Sequence, residues 1–278
     1  MNSPGSPRDI LRLSVSIVVY RPNMPLLSET LSSLADACVQ LKMAVPAVSV
    51  DLFVVDNGGL PDITSSLEKM REAGACCTVL SGHGNVGYGS GHNLAIERSA
   101  SDYHLVLNPD IDIEPNALAT ALRFLEENLD VGLLSPCIKD EARQLQYLCR
   151  RYPTVLDLFV RALPSDGPRR LLAKRLARYE MRDRINERDI VWDPVIVSGC
   201  FMLFRTVVLK KVGGFDPRYF LYFEDYDLSL RAGRVARLVY APAVRVVHHG
   251  GGAARKGSAH IRMFTVSAFK FFNRFGWK

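Results

Sequence analysis

The sequence predicts an α/β protein with a mostly parallel central sheet flanked by helices. Apolar, β-branched runs such as Ser14–Tyr20 are typical of parallel strands that are covered on both faces. These runs alternate with segments of helical spacing through the first half of the chain, and such alternation requires right-handed crossovers. With 278 residues, of which 48% are hydrophobic, the chain is long enough to bury a large core.

Each element of the first half has its own local signal. Leucines recur close to helical spacing after Pro25, a turn signal at Asp56–Gly59 ends the second strand, and Pro115 suits the first turn of the fourth helix. The predicted strands are Ser14–Tyr20, Val48–Val55, Cys76–Leu80 and Tyr103–Leu107, and the predicted helices are Pro25–Met43, Ile63–Ala73, Gly91–Ser99 and Pro115–Asn128.

The second half is less regular. Tyr152–Asp189 lacks strand periodicity and is rich in arginine and leucine, so we expect a helical or mobile insertion there. The remaining segments are predicted to be an apolar stretch at Val195–Arg205, a helix at Asp225–Arg231, strands at Val235–Val239 and Val244–Val247, and a basic amphipathic helix at Ser258–Phe275.

Composition narrows the class of protein. The charge of 35 − 29 = +6 permits anionic partners, but no signature of nucleic-acid binding accompanies it. The six cysteines contain no Cys-x-x-Cys pair, which argues against structural zinc. The polar start and the lack of an apolar run of membrane-spanning length lead us to expect a cytoplasmic protein with reduced thiols.

Asp110-Ile111-Asp112 is the most informative motif. Two carboxylates one residue apart follow the predicted strand Tyr103–Leu107, where they can hold Mg²⁺ or Mn²⁺ against a diphosphate. A solvated turn is the alternative. Because ligands collect at the carboxyl ends of parallel strands, we expect Tyr20, Asp56, the glycines after Leu80 and this pair to line one cleft.

The glycine-rich segment Gly82–Gly87 matches Gly-x-Gly-x-x-Gly and raises the alternative of an oxidoreductase that binds NAD or FAD. Three features count against it. The motif follows the third predicted strand, and the glycines continue to Gly91, so we expect no helix directly behind them. The candidate ribose acid, Asp110, also belongs to the carboxylate pair.

Two further motifs carry candidate chemistry. Glu224, Asp225 and Asp227 precede or begin a predicted helix, where they can cap it or act as a general base. His248-His249 ends an apolar run before three glycines. A surface position is one interpretation of this pair, and a metal ligand beside Asp112 is the other.

In this order the motifs resemble the inverting glycosyltransferases of family 2, which have the nucleotide-sugar fold called GT-A. The loop around Asn85 and the segment Arg151–Pro153 look most like bacterial rhamnosyltransferases that use dTDP-L-rhamnose in O-antigen or related cell-wall assembly. The matching segments are Ser16–Tyr20, Val54–Asn57, Asn85–Asn93, Asn108–Asp112, Val197–Met202, Gly213–Asp216, Phe223–Asp227 and His248.

The resemblance implies a role for each matching residue. Asp225 is the expected general base for the acceptor hydroxyl, with Glu224 and Asp227 as the fallback candidates. One departure is Cys200, which stands where glycine or alanine is commoner in similar sequences. The implied nucleotide-sugar contacts are Tyr20, Asp56, Asn85, Gly87, Tyr88 and Asp110, and the implied ligands of Mg²⁺ or Mn²⁺ are Asp110, Asp112 and His248.

The resemblance also implies a domain division and partners. We expect an extended or disordered segment 1–13, a GT-A domain 14–252 and a basic segment 253–278. Within the domain, 14–135 binds the nucleotide-sugar, and 136–252 binds the acceptor and carries a helical insertion at 153–190. The acceptor is expected to be a glycan or a polyprenyl-diphosphate-linked molecule.

Two basic segments raise the question of membrane contact. Residues 169–188 contain eight Lys/Arg against three acids, and residues 255–278 contain six Lys/Arg and no acid. Either segment packs its apolar side on the domain, or both attach the protein peripherally to the cytoplasmic face of the inner membrane. The functional alternatives left open are another hexose or 6-deoxyhexose from a UDP, dTDP or GDP donor, the oxidoreductase, and an inactive sugar-binding scaffold.

Overall fold

The computed structural model describes residues 10–162, 172–250 and 258–277. Its strands are β1 (Leu11–Val19), β2 (Val48–Asp56), β3 (Ala75–Leu80), β4 (Tyr103–Leu107), β5 (Ile111–Ile113), β6 (Val131–Lys139), β7 (Cys149–Arg150), β8 (Val191–Trp192), β9 (Ile196–Val197), β10 (Phe201–Arg205) and β11 (Arg237–His248). Its helices are α1 (Met24–Ala44), α2 (Thr64–Glu72), α3 (Tyr88–Arg98), α4 (Ala117–Glu127), α5 (Val155–Ala162), α6 (Ala173–Tyr179), α7 (Thr206–Lys211), α8 (Glu224–Ala232) and α9 (Ser258–Phe275).

One mixed sheet joins both halves of the described chain. Its order is β3-β2-β1-β4-β10-β6-β11-β5. The short strand β8 also pairs with β11, in antiparallel orientation. The first four strands of this order run parallel, as predicted. β10 is antiparallel to both β4 and β6, whereas β6 and β11 run parallel to each other. The predicted nucleotide-binding and acceptor halves therefore share a single continuous sheet.

The two faces of β1 show why this sheet is rigid. Leu13 and Ile17 are fully buried in an apolar cluster that includes α1. On the alternate face, Ser16 Oγ lies 2.8 Å from His104 Nε2 and 2.7 Å from Nδ1 of His92 in α3. Burial lowers the pKa of His104 to about 3, so its ring stays neutral. Buried hydrogen bonds thus hold α3 against β1 and β4.

Two differences from the sequence prediction concern β11 and the start of α3. The strands predicted at Val235–Val239 and Val244–Val247 are one strand, β11, whose register against β6 shifts between Ala241 and Arg245. A bulge of this kind lets a strand continue past Pro242 without a ladder hydrogen bond there. The expectation that the glycines delay the helix was wrong, because α3 begins at Tyr88, directly after the motif.

The C-terminal helix α9 has the predicted bounds and is anchored on one side. Phe271 and Phe272 are buried, and the Phe271 ring lies 5.3 Å from the Phe223 ring just before α8. Phe269 and Trp277 are 57% and 53% exposed. Among the described residues, each helix is too short or too polar to span a bilayer.

We predict that Phe271→Ala lowers the free energy of unfolding by about 3–5 kcal/mol, because it empties a fully buried site. Phe269→Ala, on the exposed face of the same helix, is expected to cost about 0.5 kcal/mol or less. Urea unfolding followed by circular dichroism measures both values. Equal effects would contradict the orientation of α9.

Candidate functional site

Asp110 and Asp112 face two histidines across the β5–β11 pair. In the antiparallel register, Val247 is opposite Asp112 and His248 is opposite Ile111. His249 Nε2 lies 2.8 Å from Asp112 Oδ2, and His248 Nε2 lies 3.5 Å from Asp110 Oδ1. The structure therefore brings together the predicted carboxylates and the predicted histidine, and it adds His249 to them.

Glu29 of α1 completes a group of three potential ligands. The Ile111 N–H donates to Thr30 Oγ1 at 3.0 Å, which fixes β5 against α1 one residue from Glu29. Ligand atoms of Glu29, Asp112 and His249 all lie within 4.8 Å of one another. Sequence reasoning missed Glu29 because its position depends on helix packing. The sequence prediction named His248 as a metal ligand and did not name His249, although both histidines belong to the same motif.

This group fits a divalent cation. Asp112 Oδ1 is buried and has no hydrogen-bond partner among the described residues, as expected of an oxygen that ligates an ion. Carboxylate oxygens with one imidazole suit Mg²⁺ or Mn²⁺. Burial lowers the pKa of His249, but hydrogen bonds to Asp112 and Glu141 outweigh it and raise the pKa overall. A proton on His249 therefore competes with a cation for Asp112.

The end of the glycine loop packs closely against the backbone of Phe220 at the start of α3. Gly87 has φ +89°, and a side chain there would collide with the Phe220 carbonyl oxygen. That oxygen accepts the Tyr88 N–H at 3.0 Å, so the N–H is not available to a pyrophosphate. Asn85 is exposed, and its Oδ1 accepts the Gly87 N–H at 3.1 Å. Although α3 begins directly after the glycines, its first N–H is therefore already bonded, which argues against a dinucleotide site.

Tyr88 links the two sides of the candidate site. Its hydroxyl oxygen lies 2.9 Å from Asn108 Oδ1 and 2.7 Å from the Gly199 carbonyl oxygen. The Gly199 N–H in turn donates to Asp225 Oδ2 at 2.9 Å. Burial raises the pKa of Tyr88 well above its usual value, and Asp225 and Asp110 add to the rise. The phenol therefore stays protonated between the two carboxylates.

The three acids at the start of α8 have different environments. Asp227 is fully buried and paired with Arg231 and with Arg274 of α9, so it is structural. Glu224 is 5% exposed, and burial followed by the charge of Asp225 raises its pKa well above the usual value. Asp225 is half-buried and accessible.

Asp225 has the properties expected of a general base. Burial raises its pKa, while the Gly199 N–H and then the Arg150 charge offset part of that rise. Such tuning brings a carboxylate closer to the pKa of an efficient proton acceptor at neutral pH. Its accessibility distinguishes it from Glu224 and Asp227.

Tyr20 and Asp56 lie at adjacent strand ends, as their positions after β1 and within β2 predict. Tyr20 is 52% exposed, with its ring beside Gly58. Asp56 Oδ1 accepts the Gly58 and Leu60 N–H groups at 2.8 and 3.3 Å, which holds the turn in place. Next to this turn, the Asn57 amide donates to the Gly87 carbonyl oxygen at 2.9 Å and ties it to the glycine loop.

Residues 14–213 match the family model described as Glycosyl transferase family 2. The chain belongs to this family. Over 275 residues it is 30% identical to the N-acetylglucosaminyl-diphospho-decaprenol L-rhamnosyltransferase of Mycobacterium tuberculosis, covering 93% of this chain and 83% of the relative. It is 29% identical to the rhamnosyltransferase WbbL of Escherichia coli K12 over 203 residues, or 69% of this chain and 72% of WbbL.

Solved structures agree with the family in fold. The mannosyltransferase PcManGT from Pyrobaculum calidifontis, in complex with GDP-Man and Mn²⁺, superposes with a TM-score of 0.60 at 17% identity, over 96% of this chain and 66% of that one. S. aureus TarS 1–349 gives 0.58 at 17% identity, over 95% and 66%. The predicted GT-A fold and glycosyltransferase class are confirmed, which decides against the oxidoreductase.

Proposed function

We propose that this glycosyltransferase is metal-dependent and inverting, and that it moves L-rhamnose from dTDP-L-rhamnose to a hydroxyl of a lipid-linked glycan. The observation that carries the proposal is the connected pair of carboxylate sites. Asp110 and Asp112 lie on one side, accessible Asp225 lies on the other, and Tyr88 and Gly199 join them. The similarity to two rhamnosyltransferases supports the choice of sugar.

On the donor side, Asp112, Asp110 and His248 would hold Mg²⁺ or Mn²⁺, and the adjacent His249 and Glu29 extend this ligand set. When bound, the ion supplies positive charge to the departing diphosphate. The nucleotide-sugar contacts are those of the sequence prediction. Tyr20 would lie against the base, Asp56 would accept its imide N–H, Asp110 would approach the ribose, and Asn85, Gly87 and Tyr88 would shape the sugar pocket.

On the acceptor side, Asp225 takes the proton from the acceptor hydroxyl. The hydroxyl oxygen then attacks the anomeric carbon on the face opposite the diphosphate. As the new carbon–oxygen bond forms, the bond to the phosphate oxygen breaks, and its electron pair leaves with dTDP. A single in-line displacement of this kind inverts the anomeric configuration. The protonated carboxyl of Asp225 returns its proton to solvent after the product leaves.

Asp225→Asn is expected to lower kcat by about 10²–10⁴-fold, since an amide cannot take the proton. It should leave the donor Kd unchanged. Asp112→Asn should instead lose the part of donor affinity that depends on Mn²⁺, and its kcat should also fall because less ion is held against the departing diphosphate. Calorimetric titration with dTDP and Mn²⁺, together with steady-state turnover, separates the two effects.

Glu114→Gln is the matched control for these variants, because Glu114 is an exposed acid two residues beyond Asp112. It should leave both kcat and Kd at the wild-type values. Full turnover in Asp225→Asn would remove the base assignment.

A thermal-shift screen of nucleotide-sugars with Mg²⁺ or Mn²⁺ tests the donor. Ligand that binds only the folded state adds about 2.7 kcal/mol of stability at a concentration of 100 Kd. We expect dTDP-L-rhamnose to raise the Tm more than UDP-, GDP- or other dTDP-sugars. A larger shift with UDP-glucose or GDP-mannose would replace rhamnose with that sugar.

We propose that the acceptor is reached from a membrane surface through α9. Its exposed side presents apolar side chains, and no acid follows Asp227 anywhere in the chain. The other predicted segment, 169–188, fits this role less well: α6 is only seven residues long, and its Leu176 and Tyr179 are buried. Residues 169–171 lie outside the described residues. The exposed apolar residues of the C-terminal segment are Ile261, Val266, Phe269 and Trp277.

Point variants test this contact better than deletion of α9, which would uncover the buried Phe271. We expect the double variant Ile261→Ser, Phe269→Ser to bind anionic phosphatidylglycerol vesicles about thirtyfold more weakly, because the two side chains together lose apolar contact worth about 2 kcal/mol. Leu129→Ser, at a 75% exposed leucine outside α9, is the control. Vesicle sedimentation measures binding, and an unchanged double variant would contradict the proposal.

A further inference from the structure

Arg150 is a buried cation whose role the proposed function leaves open. It lies on β7 and is only 6% exposed. Its guanidinium donates to the Tyr226 hydroxyl at 2.6 Å, and its Cζ lies 6.0 and 5.8 Å from the ring centroids of Tyr179 and Tyr226. Burying a charge costs several kcal/mol unless other groups compensate it. A purely structural contact with two phenols would not require a charged side chain.

Arg150 has no direct carboxylate partner among the residues that the structure describes. None of the ion pairs formed among the described residues includes it, and its Nε is buried with no hydrogen-bond partner in that part of the chain. The nearest residue of opposite charge in the sequence of α8 is Asp225, which directly precedes Tyr226, the residue whose hydroxyl accepts from Arg150. Burial lowers the pKa of Arg150, but Tyr226, Tyr179 and then Asp225 outweigh burial and raise the pKa overall.

We infer that Arg150 is a positioning residue that holds the negative charge of the Glu224–Asp225 pair on Asp225. This inference rests on the proposed role of Asp225 as the general base. Two adjacent carboxyls, one buried and one half-buried, resist double ionisation, so one of them keeps a proton. Arg150 donates to the hydroxyl of Tyr226, the residue that follows Asp225, and its charge lowers the pKa of Asp225. Burial and then the charge of Asp225 raise the pKa of Glu224, so ionisation is favoured at the accessible member, Asp225.

Among the described ionisable groups around Asp225, Arg150 is the one that can stabilise its negative charge. The ionisable ones are Glu224, Tyr88, Cys200 and Arg150, of which Arg150 is the cation among the described residues. Burial raises the pKa of the Cys200 thiol to about 12, and the pKa of Tyr88 is raised as well, so both stay neutral. Two N–H groups, from Gly199 and Tyr226, stabilise the Asp225 carboxylate locally.

The direction in which the kcat–pH profile should move follows from the chemistry of a general base. Asp225 works only when it is deprotonated, so kcat falls as the pH drops through its pKa. Removing the Arg150 charge raises that pKa. The acidic limb of the kcat–pH profile should then move to higher pH, while kcat on the alkaline side of the limb recovers toward the wild-type value. A loss of packing alone would lower kcat by the same factor at every pH.

The experiment compares kcat–pH profiles of the full-length protein. Arg150→Met should move the acidic limb up by about 1 pH unit and leave the donor KM unchanged. Arg150→Lys, which keeps the charge, should return the limb to the wild-type position. Arg151→Met is the matched control, since the neighbouring Arg151 pairs with exposed Asp183 at 2.7 Å and should leave the limb in place.

Arg150→Gln keeps a donor for the Tyr226 hydroxyl and serves as a second neutral variant if Arg150→Met is unstable. It must show the same shift. A limb that stays at the wild-type pH in the folded neutral variant would overturn the inference. The proposed function fails separately: full activity of Asp225→Asn removes the base, whereas an inactive Asp225→Asn with an unmoved Arg150 profile removes only the role of Arg150.

Discussion

The site depends on the contact of one half-buried phenol, that of Tyr88, with two loops. The Tyr88 hydroxyl lies between Asn108, which precedes the proposed metal ligands Asp110 and Asp112, and Gly199, which holds Asp225. α3 supplies this phenol in a fixed place, because His92 and Ser16 tie the helix to β1. The spacing between the two carboxylates and Asp225, the proposed base, is therefore set by α3 and by hydrogen bonds at both of its ends, of which the first lies inside the sheet.

Strand direction explains why residues so far apart in sequence meet. β4 and β10 are antiparallel, so the end of β4 at Leu107 pairs with the start of β10 at Phe201. The loop after β4 and the loop before β10 therefore leave the same edge of the sheet. The Asn108 N–H donates to the Cys200 carbonyl oxygen at 2.9 Å and closes this junction. A parallel β10 would have placed Gly199 at the opposite edge.

Much of this arrangement could be predicted from the sequence, and the exceptions have physical causes. The strands up to β4 were predictable because each is a short segment rich in apolar and β-branched residues. The Asp110–Asp112 pair was predictable because it follows one of them. β11 was divided in two because Pro242 resembles a strand end, whereas a bulge accommodates it. The position of Glu29 beside Asp112 depends on Thr30 and Ser33 of α1 accepting the N–H groups of β5, a tertiary contact that leaves no local pattern.

Asp227 connects α9 directly to α8, the helix that carries the proposed base Asp225, because Asp227 pairs with Arg274 of α9. A helix is about 10–12 Å across with its side chains. If the exposed side of α9 rests on a bilayer, the reacting hydroxyl is held within roughly two such widths of the lipid headgroups. The distance of the site from the membrane would then select the acceptor, favouring a sugar next to the lipid diphosphate over the far end of a long glycan.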